Sequence, residues 1–79
     1  MDVWFSGHAR DRMLERNITE EEVRATVSEP EATKDTRERS RRFERTFADR
    51  TLRVWVKWPA QSKTRYFIKT VAWKGDDNA

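Results

Sequence analysis

The chain has 79 residues, 39% of them charged and 35% hydrophobic, with a net charge of +3. That length holds one hydrophobic core, so a single domain is expected over residues 1–79, with its core at about 6–74. One His and no Cys argue against disulfides, a zinc site or any other cofactor, and no apolar run is long enough to span a membrane.

Asp2 stands where a secretory leader would carry positive charge, so the expected location is the cytoplasm. Four Trp, four Phe and one Tyr predict a core built on a few large side chains, since each aromatic can bury ~150–250 Å².

Residues 2–5 read as a short extended entry. Ser6 is a candidate N-cap for a helix over 7–16. At about 100° per residue, Arg12 and Arg16 fall about 40° and 80° from His8, forming a stripe beside the apolar face of Ala9 and Met13. Asn17 and Ile18 end that helix. Thr19 followed by Glu22 is a capping box for a second helix, the acidic run Glu20–Glu22 suits its positive end, and Val23 and Val27 share its buried face. Pro30 ends it by restricting Glu29. Residues 31–40 are polar, a loop with at most a short edge strand.

From Arg41 onward the period changes to two. Phe43, Arg45 and Phe47 alternate, then Leu52, Val54, Val56 and Trp58, and a third β-rich run covers Thr64 to Trp73. Turns are expected at Ala48–Thr51 and Pro59–Lys63. The predicted fold is α+β: two N-terminal helices packed on an antiparallel meander sheet of three to four strands. Folding the last hairpin about its loop pairs Trp58 with Thr64, Val56 with Tyr66, Val54 with Ile68 and Leu52 with Thr70 on the core side. The opposite side then pairs Lys57 with Arg65, Trp55 with Phe67 and Arg53 with Lys69, a basic–aromatic ladder.

The charge is unevenly spread. Residues 40–74 carry ten Lys or Arg against Glu44 and Asp49, a cationic half whose natural partners are nucleic acid or an acidic protein segment. The only glycines are Gly7 and Gly75, which rules out a glycine-rich phosphate loop. One His beside several cations suits metal-free RNA cleavage, in which imidazole handles protons and guanidinium stabilises phosphorane charge. His8 in the first turn of a helix suits the base role, and Arg12 one turn on is placed to clamp phosphate.

The run from His8 through Arg12, Arg16-Asn17-Ile18, Glu20–Glu22 and Val23, followed by Glu29-Pro30, resembles a bacterial and phage family of unknown function. That family is grouped with the RelE/ParE and BrnT toxins in the barnase–EndoU–colicin–RelE fold group. The resemblance covers about residues 6–73 and implies a RelE-like helix pair on a curved antiparallel sheet, with suspected ribonuclease activity. Carried over by position, His8 and Arg12 match the helix motif and Arg16 its second arginine, while Arg45, Lys69 and Thr70 are candidates in the strands.

The expectation is therefore a small RNA-directed, toxin-like protein, in its strongest form a metal-independent endoribonuclease. His8, Arg12, Arg16 and Thr70 would be catalytic, with Arg45, Arg53, Trp55, Lys57, Arg65, Phe67 and Lys69 binding the nucleic acid. An acidic antitoxin would cover the cationic half. The alternatives are a non-catalytic module that binds nucleic acid or a host protein through the basic–aromatic face, and an accessory protein that forms a homodimer through Trp55 and Phe67.

Overall fold

The computed structural model describes residues 2–76. The chain enters as strand β1 (Asp2–Phe5) and turns at Ser6, whose extended backbone lets its Oγ accept the Ala9 amide at 2.9 Å. Helix α1 (Gly7–Arg16) starts from that cap and ends at Asn17, which adopts the left-handed conformation at φ 55. The capping box forms as read: Glu22 N donates to Thr19 Oγ1 at 3.1 Å, and Thr19 N donates to Glu22 Oε1 at 2.9 Å. It opens helix α2 (Glu20–Ser28), which buries Val23, Thr26 and Val27.

Strands β2 (Ala32–Thr36), β3 (Ser40–Phe47), β4 (Arg50–Lys57) and β5 (Arg65–Trp73) follow. They form one sheet in the order β1-β5-β4-β3-β2. The meander is antiparallel, as expected, but the sheet has five strands and is mixed, because β1 lies parallel to β5. The N-terminal segment is thus a strand ahead of the helices. The polar stretch 32–36 is a full edge strand whose charged, exposed residues suit an unprotected sheet edge.

Helix α1 packs on β5 and β1, and α2 on β3 and β4. Both bury the same sheet face. Val3, Phe43, Leu52, Val54, Val56, Ile68, Val71 and Trp73 meet Ala9, Met13, Ile18, Val23 and Val27 there. Leu52, Val54, Val56 and Ile68 are wholly buried, each worth ~1.5–3 kcal/mol relative to exposure. The core is therefore mainly aliphatic, contrary to the expectation from the aromatic count. Only Trp73 of the four tryptophans is buried; Trp58 joins Phe43 and Tyr66 in an aromatic cluster with centroids 5.5–5.9 Å apart.

The register of the last hairpin differs from the expected one. Val56 pairs with Ile68, Val54 with Val71 and Leu52 with Trp73, and the ladder shifts between Trp55 and Val56. That irregularity absorbs one extra residue at Lys69–Thr70. Residues before it keep the expected faces, with Tyr66 and Ile68 inward and Phe67 outward. Thr70 changes sides: it pairs with Trp55 and faces away from the helices. The direct pairs Trp55–Phe67, Arg53–Lys69 and Lys57–Arg65 do not form.

Candidate functional site

Among the described residues no helix covers the second face of the sheet. Alternation along β4 places Arg53, Trp55 and Lys57 on it, and Arg65 and Phe67 join them from β5. Parallel pairing of β1 sets Trp4 beside Phe67. These two rings are 56% and 44% exposed, which is unusual for large apolar side chains placed side by side. The Arg65 guanidinium lies over the Trp4 ring at 5.4 Å. Sequence reasoning missed Trp4. Its alternation with Val3 was visible, but the strand that brings it beside Phe67 comes from the far end of the chain.

A cleft of about 500 Å³ opens at this end of the face, bounded by Trp4, Phe67, Lys57, Arg65 and the 59–62 loop. The cations around it differ in availability. Glu44 Oε2 lies 2.8 Å from Arg42 Nε and 3.2 Å from Arg53 Nε, neutralising much of the middle of the face. Lys69 reaches across β4, where its Nζ donates to Glu38 O at 2.9 Å and to Ser40 Oγ at 2.8 Å. Lys57 and Arg65 form no ion pair among the described residues and are exposed. Positive charge and exposed aromatic surface therefore coincide at the cleft.

The other candidates lie elsewhere. Arg45 is on the helix-covered side, where its Nη1 donates to Glu29 O just past the end of α2 at 2.7 Å, a favourable place for a cation. Trp55 is half-buried mid-face, between Arg42 and Thr70. His8 is exposed in the first turn of α1 and has no hydrogen-bond partner among the described residues. Arg12 is paired with Glu15 at 2.6 Å. The carbonyl of Arg16 accepts from Trp73, and no hydrogen bond or ion pair joins His8, Arg12, Arg16 and Thr70 to one another.

The start of α1 is nevertheless tied to β5. Ser6 N donates to Ile68 O at 3.0 Å and Ser6 Oγ to Lys69 O at 2.8 Å. His8 thus begins its helix next to the strand that carries Phe67 and Thr70. Among the described residues no group of three or more His, Cys, Asp or Glu side chains is placed to hold a metal ion, and no helix is long and apolar enough to cross a membrane.

No curated protein and no solved structure matches the chain. A family model described as a domain of unknown function (DUF4258) matches residues 5–73, from the end of β1 through β5, and the chain belongs to that family.

Proposed function

We propose that the protein binds single-stranded RNA on the uncovered sheet face, with its strongest contacts at the Trp4–Phe67 end. The observation that carries this is the coincidence of two adjacent exposed rings with two cations that form no ion pair among the described residues. Bases stack on aromatic faces whatever their sequence, and phosphates follow the cations between them. Strand-like single-stranded ligands suit an open sheet face better than a duplex does, because their bases are free to reach the rings.

The test is fluorescence anisotropy with a labelled single-stranded RNA of about ten nucleotides, within the usual span of such sites. Trp4→Ala and Phe67→Ala should each weaken binding by about 5- to 150-fold, the worth of one base stacked on one ring, while Leu14→Ala on the exposed side of α1 should not change it. Absence of binding at low salt, or binding indifferent to both ring substitutions, would overturn the proposal.

Metal-independent endoribonuclease activity, in the manner of a toxin, is the second reading. What favours it is the attachment of the α1 N-terminus to β5, through Ser6 bonding Ile68 O and Lys69 O two residues before His8. An acidic partner protein would then compete with RNA for Lys57 and Arg65.

A further inference from the structure

We infer that Arg42 and Arg53 form a second phosphate subsite in the middle of the uncovered face, and that Glu44 occupies it in the free protein. This rests on the RNA-binding reading above and adds an internal competitor to it. Strand register brings the groups together. Glu44 lies opposite Arg53 across β3 and β4, and Arg42 is its neighbour on the same face of β3. Glu44 is the only acidic residue in either strand, and the three side chains are only 17–21% exposed.

A single oxygen, Oε2, serves both arginines, 2.8 Å from Arg42 Nε and 3.2 Å from Arg53 Nε. Arg42 Nε is shut off from solvent and, short as that distance is, donates no hydrogen bond of ordinary geometry. The carboxylate therefore holds Arg42 by charge and not by an aligned bond, a poor match for a fork suited to parallel bonds. A phosphodiester carries the same single charge and offers two free oxygens, one for each arginine. It can replace Glu44 without changing the charge of the site, while the displaced carboxylate turns to solvent. Trp55, half-buried and paired with Arg42 across the strands, places a ring beside it. Arg53 and Lys57 share the outward side of β4, roughly 13 Å apart along an extended strand, so one RNA strand can reach both subsites.

The experiment uses the same labelled RNA, with the fold of each variant checked by circular dichroism. Glu44→Gln should tighten binding about fivefold, the worth of one accessible ion pair. It should also steepen the plot of log affinity against log salt by about 0.7, for one more phosphate. Glu44→Asp keeps the net charge but draws the carboxylate back, so it should tighten binding in part, and it serves where Glu44→Gln does not fold. Arg42→Gln should cost the whole gain in a Glu44 variant and little in the wild type. Glu21→Gln, exposed at the start of α2, should produce no gain. Unchanged affinity in both Glu44 variants, or an equal cost of Arg42→Gln with and without Glu44, would overturn this inference and leave RNA binding standing. Failure of every protein to bind would overturn both.

Discussion

The indole Nε1 of Trp73 donates to the carbonyl oxygen of Arg16 at 3.0 Å, joining the last strand to the end of α1 across 57 positions of sequence. The last carbonyls of a helix have no partner within it, and here a side chain from the far end of the chain supplies one. Trp73 is only 4% exposed. Trp73→Phe keeps an aromatic ring in the core but removes the donor. It should lower stability by about 0.5–1.5 kcal/mol, the net worth of one such hydrogen bond. Urea unfolding of the two proteins measures it, and an unchanged midpoint would mean that water takes over the bond.

Two lysines of the same face should behave differently. Lys69 holds Glu38 O and Ser40 Oγ, so Lys69→Met should cost about 1–3 kcal/mol in stability with little change in the salt dependence of RNA binding. Lys57 is exposed at the cleft. Lys57→Gln should leave stability within about 0.5 kcal/mol. Removing its charge from a phosphate should also make the plot of log affinity against log salt shallower by about 0.7. Thermal melts and anisotropy at several salt concentrations separate the two. Equal salt slopes for both variants would remove Lys57 from the RNA path.

The division between these lysines shows what the sequence could and could not disclose. Both helices were legible because their signals are local: Ser6, Asn17 and the Thr19–Glu22 box each act within four residues. Alternation revealed the inward residues of β3 and β4 for the same reason. The parallel pairing of β1 with β5 depends on residues more than sixty positions apart, and no local pattern encodes it, so Trp4 was overlooked. The extra residue at Lys69–Thr70 leaves the strand's composition unchanged while turning Thr70 to the other face. A cationic residue type also says nothing about whether a neighbour already holds it, which is why Arg45 and Lys69 looked like Lys57.

Asp35 and Arg41 face each other across β2 and β3 with Nε and Oδ1 2.6 Å apart. The hydrogen bond from Arg41 holds the Asp35 carboxyl below its ordinary 3.8, and the Arg41 guanidinium also lies over the Trp58 ring at 4.1 Å. A lowered folded-state pKa stabilises the fold fully above the unfolded value, and the effect disappears as pH falls through the folded one. Between pH 5 and 2, at roughly the range where carboxylates titrate, the wild type should lose stability more steeply than Asp35→Asn. Melting temperatures across that range provide the comparison, and parallel curves would show that the exposed pair contributes nothing.

A nuclease working through His8 needs neutral imidazole near the scissile phosphate and a cation to stabilise the charge that develops there. His8 is unencumbered among the described residues, whereas one nitrogen of Arg12 is held by Glu15. Wild-type protein should then cleave total RNA in EDTA, and His8→Ala should lower the rate by about 10²–10⁴-fold with RNA affinity retained. Glu15→Gln is the more informative partner experiment. It removes the carboxylate that competes with phosphate for Arg12, so it should raise cleavage without altering the fold, and Arg12→Ala should cancel that gain. Equal cleavage by wild type and His8→Ala would assign the chemistry to another group. No cleavage by either, with RNA binding intact, would leave the sheet face as the site of function and α1 as its support.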